Sequence, residues 1–154
     1  GVKRSEIVRE LKHVLGKEKV TQIMATQQPF ITDVDVAILG AGPGGLTAGL
    51  YLCQAKINTV LIDIALPGGY VSTTHMVSNY PGFIDPQPGY LLGHNMSEQT
   101  KQCGTTYKVA VDVTKVDLLK KEITIDNQET IRAKRIIVAT GTSPNKMGIP
   151  GEVE

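Results

Sequence analysis

The chain has 154 residues, 41% of them hydrophobic and 20% charged, with a formal net charge of +1. That length suits a single domain, and that composition is ordinary for a soluble globular protein. The near-neutral balance argues against nucleic acid as a partner; residues 1–30 carry six Lys and Arg against three Glu, and a basic tail of that size reads as a solvated face.

Ser5–Leu15 is expected to form an amphipathic helix. Ile7, Val8, Leu11, Val14 and Leu15 fall on one face, Ser5 stands where an N-cap is wanted, and Gly16 stands where a helix ends. Thr21–Thr32, with Gln27, Gln28 and Pro29, reads as a linker. The compact domain is therefore expected over residues 33–154, after an N-terminal helix and linker over residues 1–32. The charged N-terminal residues show no secretory signal pattern, so the cytoplasm is the expected compartment.

The stretch 33–63, DVDVAILGAGPGGLTAGLYLCQAKINTVLID, carries the strongest signal in the chain. Val34–Leu39 is an apolar, β-branched run that ends at a glycine; Leu46–Ala55 is rich in helix formers; Asn58–Ile62 is a second β-branched run closed by Asp63. Gly40, Gly42 and Gly45 give the spacing G-x-G-x-x-G between the first strand and the helix. Strand, glycine turn, helix and strand with a terminal acid make a dinucleotide-binding unit. Gly40 turns the chain sharply, Gly42 leaves room for a pyrophosphate against the backbone, and Gly45 lets the helix pack on the strand. The helix N-terminus offers free N–H groups to the phosphates. Asp63, 23 residues after Gly40, is placed to accept hydrogen bonds from ribose hydroxyls. A tight turn with no ligand would share the spacing. The long uncharged run from Val36 to Ala55 is not read as a membrane span, because Pro43 and the glycines interrupt it.

Downstream, the loop from Pro67 to Pro88 is longer than most and rich in glycine, proline and hydrogen-bonding residues, which favours a ligand-covering role. Gly89–Cys103 reads as a helix. Thr106–Val111, Val113–Leu118, Glu122–Ile125 and Thr130–Arg132 read as short strands of a meander, and Arg135–Ala139 as an apolar strand running into Thr140 and Gly141. The two cysteines, Cys53 and Cys103, are far apart and form no C-x-x-C. Cys53 is expected to be buried and inert, and no disulfide between the two is expected in a cytoplasmic chain. His13, His75 and His94 are scattered, and no Cys/His cluster has metal-ligand spacing, so no metal site is expected.

Three segments together resemble the first half of the low-molecular-weight thioredoxin reductases: GAGPGGLTAGLY from Gly40, GGYVSTTHMVSNYPGF from Gly68, and ATGTSPNKMGIPGE from Ala139. The resemblance covers roughly residues 33–152 and leaves residues 1–30 outside it. It implies an α/β, Rossmann-like FAD-binding domain with a parallel sheet and a small β-meander, here behind an N-terminal helical extension. It implies that Gly40, Ala41, Gly42, Pro43 and Gly44 cradle the FAD pyrophosphate and that Asp63 faces the adenosine ribose. Gly68, Gly69 and Thr74 would line the flavin side, Asn79 would hydrogen-bond the isoalloxazine or serve only as an Asx-turn residue, Thr140 and Gly141 would approach the cofactor, and Val111 would lie near the adenine. Tyr70 stands where the family often has glutamine, and would either stack beside the flavin or close the loop.

The family reaction passes electrons from NAD(P)H through FAD to a disulfide. The resemblance implies that the NADPH-binding domain with its C-x-x-C, and a C-terminal return segment, lie outside these residues, so the chain alone is expected to be catalytically incomplete. No residue is assigned a catalytic role. The implied partners are FAD, a second copy or the remainder of the same polypeptide, and a thioredoxin-like protein; no membrane partner is expected. Two other readings share the residues: a non-catalytic flavin-binding or structural subunit, and an NAD-binding domain, which would not need the Gly68–Phe83 loop.

Overall fold

The computed structural model describes residues 4–25, 28–143 and 145. The last part of the C-terminal motif, Lys146–Glu152, lies outside them, as does Pro144. Two helices come first, α1 (Arg4–Leu15) and α2 (Lys17–Ala25). The linker expected from Thr21 is thus helical to Ala25. Ile7, Leu11, Val14 and Leu15 of the apolar stripe of α1 are exposed, Val14 most of all at 79%, while Val8 is half-buried.

The body is a six-stranded sheet made of β1 (Phe30–Leu39), β2 (Thr59–Asp63), β5 (Thr106–Val109), β6 (Val113–Asp117), β7 (Glu122–Ile125) and β8 (Glu129–Val138), in the order β5-β2-β1-β8-β7-β6. The β1–β2, β1–β8 and β2–β5 pairs are parallel. The β6–β7 and β7–β8 pairs are antiparallel. Helices α3 (Pro43–Gln54) and α4 (Gly89–Cys103) make the crossovers from β1 to β2 and from β2 to β5. Between β2 and α4 run a short 3₁₀ turn, Gly69–Thr73, and a two-residue ladder of β3 (Met76–Val77) and β4 (Gln87–Pro88).

Three expectations change. The first strand begins at Phe30 rather than Val34, because Phe30, Ile31 and Thr32 pair with Glu129, Thr130 and Ile131. The expected strands Thr130–Arg132 and Arg135–Ala139 are one strand, β8, whose first half is shared between β7 and β1. Thr106–Val111 is not part of the meander: β5 lies at the far edge, parallel to β2, and the meander is β6-β7-β8.

The central strands are buried on both faces, which explains their continuous apolar runs. Ala37, Leu39, Val60 and Ile62 pack with Ile123, Ile125 and Ile131 from the meander on one face. Val36, Ile38 and Leu61 pack with Leu46 and Leu52 of α3 and Met96 of α4 on the other. Helices α3 and α4 lie close together. The buried Thr100 hydroxyl reaches the Leu46 carbonyl at 3.0 Å, and the Thr105 hydroxyl donates to the Gly49 carbonyl at 3.0 Å. A Cβ on Gly49 would stand only 3.1 Å from the Thr100 methyl.

One buried charge is handled explicitly. Glu129 accepts hydrogen bonds from Lys108 Nζ at 2.9 Å and from the Thr32 hydroxyl at 2.7 Å. Burying a carboxylate is tolerated only with such partners.

Candidate functional site

The glycine turn joins the C-terminal end of β1 to the N-terminus of α3, where ligands bind in open α/β sheets. Gly40 has φ +107°, and a Cβ there would overlap the Ala139 carbonyl at the end of β8. A Cβ on Gly45 would overlap the Gly40 carbonyl oxygen and press on Ile38. Both glycines are therefore required by packing of the turn itself. Gly42 differs. It is the N-cap of α3 with φ −76°, ordinary for any residue. A Cβ there would meet only Gly69 Cα, at 3.8 Å, and one on Gly44 would meet nothing within 4 Å. The space over Gly42 and Gly44 is left open, and no side chain caps α3. The first-turn N–H groups of a helix lack intrahelical acceptors and carry partial positive charge. Pro43 at the first helical position has no N–H to offer but costs no intrahelical hydrogen bond, so the donors left for a ligand are those of the residues that follow it.

A second glycine pair closes on the first. The Gly68 N–H donates to the Ala41 carbonyl at 2.8 Å. Gly68 and Gly69 have φ +118° and +61°, and a Cβ on Gly69 would stand 2.7 Å from Gly42 Cα. Only glycine allows two backbones to touch this closely in that conformation. The result is a cradle of bare backbone with two walls. This fits a dinucleotide's phosphates on the chemistry of the donors and on the space a Cβ would fill.

Asp63 closes β2 beside this cradle. Its Oδ2 accepts the Ala41 N–H at 2.6 Å and its Oδ1 accepts the Ala65 N–H at 2.8 Å. The carboxylate thus shapes the glycine turn and the loop after β2 before any ligand arrives. Each carboxylate oxygen keeps further lone-pair capacity for a hydroxyl donor. Asp63 lines a cleft of about 220 Å3 with Leu39, Gly40, Ile64, Val113, Val116 and Thr140. Val113, Val116 and Ile64 were not among the residues singled out from sequence. Ile64 directly follows β2 and Val113 and Val116 belong to β6, so their meeting depends on how the meander packs beside the end of β2.

The remaining candidates fall as follows. Thr140 follows β8, lines the cleft and is exposed; Gly141, with φ +71°, comes next and is exposed. Val111 is half-buried against the core on the meander face, with its N–H 3.4 Å from the Asp63 carbonyl; it is not among the cleft-lining residues. Thr74 ends the 3₁₀ turn, exposed, and its carbonyl accepts the Gly89 N–H at 3.1 Å. Asn79 is exposed on the loop after β3. Tyr70 is exposed at 67% on the 3₁₀ turn.

A larger cleft, about 850 Å3, lies on the other side of the loop after β2. Tyr90, His94 and Glu98 of α4, Tyr107 of β5 and Leu66 are among its walls, and it shares Ile64 with the first cleft and Gly69 with the cradle. Burial pushes the Tyr107 phenol up, while its hydroxyl donates to the Ser97 carbonyl at 3.0 Å. The backbone donors that suit phosphate are at the glycine cradle, so the larger opening is not read as the nucleotide site. Among the described residues no three or more His, Cys, Asp or Glu side chains are grouped to hold a metal ion. No described helix is long and apolar enough to cross a membrane.

A mostly parallel sheet with helical crossovers, a backbone phosphate cradle at the strand ends and an acid closing the second strand define a dinucleotide-binding unit. The chain belongs to the pyridine nucleotide-disulphide oxidoreductase family, whose model matches residues 34–154. It is 40% identical over 121 residues to thioredoxin reductase of Peptoclostridium acidaminophilum, covering 78% of this chain and 38% of that protein. It is 37% identical over 128 residues to thioredoxin reductase of Dictyostelium discoideum, covering 77% and 40%. The crystal structure of Lactococcus lactis thioredoxin reductase aligns with a TM-score of 0.69 at 32% identity, covering 77% of this chain and 39% of that one. The chain thus spans about two-fifths of the length of the relatives it matches.

Proposed function

We propose that this chain is the FAD-binding part of a thioredoxin-reductase-like flavoprotein that carries electrons from NAD(P)H to a disulfide. The observation that supports this reading best is the Gly68–Gly69 wall laid on the Gly40–Gly44 turn. A plain NAD-binding turn has no need of that second wall. In this reading the backbone of Gly42 and Gly44 and the N-terminus of α3 hold the pyrophosphate. Asp63 positions the turn through Ala41 and takes the adenosine ribose. Ile64, Val113 and Val116 pack the adenosine end, and Thr140 and Gly141 close over it. Thr74 and Asn79 are assigned to the flavin end and Val111 to the outer side of the adenine.

Bound FAD supplies the two-electron carrier; these residues bind and orient it and exclude water from the phosphate wall. NADPH as donor, a thioredoxin-like protein as acceptor, a cytoplasmic location and pairing of two copies complete the proposal, with the whole activity requiring more than these residues. The test is the absorbance spectrum and NADPH-oxidation rate of the purified full chain after incubation with FAD. The reading expects flavin retained on gel filtration and no NADPH-driven disulfide reduction by the chain alone. Absence of retained flavin at saturating FAD would overturn it.

A further inference from the structure

Cys53 and Cys103 are 50 positions apart in sequence, yet the structure brings them together. Cys53 lies in the last turn of α3, and Cys103 is the last residue of α4. The tight packing of the two helices through Gly49, Thr100 and Thr105 sets their C-terminal ends side by side. The Cys53 thiol donates to the Cys103 carbonyl at 2.7 Å, and Cys103 Sγ lies 3.8 Å from the Leu50 carbonyl. Gly104, with φ +109°, caps α4, and a Cβ there would stand 3.6 Å from the Cys53 sulfur. Both thiols are free and half-buried, within reach of a small molecule.

We propose that Cys53 and Cys103 form a reversible redox site: they close an intramolecular disulfide that clamps the C-terminal ends of α3 and α4. The oxidant class is a low-molecular-weight disulfide. The Cys53 thiolate, its proton passed to solvent, attacks one sulfur of the disulfide, forms a mixed disulfide and releases one thiol. Cys103, losing its proton, then displaces the second thiol and the Cys53–Cys103 bond is made. Two cysteine thiols are oxidised and one small disulfide is reduced to two thiols, so atoms and electrons balance. Contact with the Cys53 thiol, burial and the neighbouring charge of Cys53 all push the Cys103 thiol up. That direction suits Cys103 to the resolving step, after the thiol of Cys53 has been joined to the small disulfide. The Cys53 sulfur stands 2.7 Å from the Cys103 carbonyl oxygen, so the two residues are neighbours across the helix ends, as a disulfide requires. The site lies at the opposite end of α3 from the glycine cradle, so it stands or falls independently of the flavin reading.

The test is equilibration of the full chain in mixtures of reduced and oxidised glutathione, acid quenching, alkylation and mass analysis. Wild type is expected to lose both alkylatable thiols together and to give one peptide joining Cys53 to Cys103. Cys53→Ser and Cys103→Ser are each expected to stop at a glutathione adduct. The equilibrium constant for closure should be at least tenfold larger in the native chain than in the same chain in urea, where the helices no longer hold the thiols together. The oxidised chain should melt about 5 °C or more above the reduced one, reversibly with dithiothreitol, because a loop of that length is closed. Two glutathione adducts on wild type, bonds only between chains, or an equal constant in urea would overturn the proposal. If either serine variant fails to fold, the native-to-urea ratio on wild type decides alone.

Discussion

Replacing Gly42 with alanine separates the two jobs that the glycine turn combines. At φ −76° the backbone accepts alanine, and the added Cβ meets only Gly69 Cα at an ordinary 3.8 Å. No side-chain cap is lost, because glycine supplies none. The stability cost is therefore that of a poorer N-cap residue, about 1 kcal/mol or less. In the proposed reading the same methyl occupies the space where a phosphate of FAD meets the backbone. Displacing the phosphate there breaks about two charge-assisted N–H···O bonds, each worth about 1.5–3 kcal/mol. The sum, about 3–6 kcal/mol, is a loss of FAD affinity of more than about 100-fold. Gly45→Ala gives the reverse pattern: its Cβ overlaps the Gly40 carbonyl, so the turn opens and stability falls by about 1–3 kcal/mol or more. Thermal melts of the flavin-free chains and fluorescence titration with FAD read both effects. A Gly42→Ala chain that melts normally and binds FAD within threefold of wild type would refute the reasoning.

Asp63→Ala leaves the Ala41 and Ala65 N–H groups without their acceptors and is expected to lower stability by about 1–3 kcal/mol with no flavin present; an unchanged urea midpoint would show that those two bonds are replaced by water without cost. Lys108→Ala leaves the buried Glu129 carboxylate with the Thr32 hydroxyl as its recorded side-chain partner, and about 1–3 kcal/mol of stability should go, less than for a fully buried pair because Lys108 is about one-third exposed. Adding Glu129→Gln to that variant should recover part of the loss in urea unfolding, and additive losses would contradict the pairing. The hydrogen bond from Lys134 at 2.6 Å, with the Asn58 N–H and the Lys134 charge, holds the Asp35 carboxyl below its ordinary range. A depressed carboxylate adds stability above its unfolded pKa, about 3.9, and that stability is lost as pH falls through the lower folded value. Asp35→Asn should flatten the acid side of a melting-temperature curve against pH, and an identical acid limb would rule the contribution out.

The parts of the fold written in local sequence were legible. Val34–Leu39, the glycine spacing and Asp63 placed β1, α3 and β2 to within a few residues, because each rests on short-range rules of turn and helix geometry. The start of β1 was not legible, since Phe30–Thr32 become strand by pairing with Glu129–Ile131, about a hundred residues away. The same distance hid β8, where Thr130–Arg132 and Arg135–Ala139 look like two strands until one continuous partner is seen. At the site, the roles of Gly40 and Gly45 follow from spacing. The contact of Gly69 with Gly42, the turn-shaping role of Asp63 and the apolar wall of Val113 and Val116 depend on how loops meet in space. The meeting of Cys53 and Cys103 belongs with these: spacing alone argued against it, and helix packing creates it.

The central claim is that the double glycine wall selects FAD over a nicotinamide dinucleotide. Calorimetric titration of the full chain with FAD, and separately with NADH and NADPH, tests it most directly. The account predicts one FAD per chain, bound at least tenfold more tightly than either nicotinamide. NADH or NADPH binding while FAD does not, or no preference among the three, would contradict it.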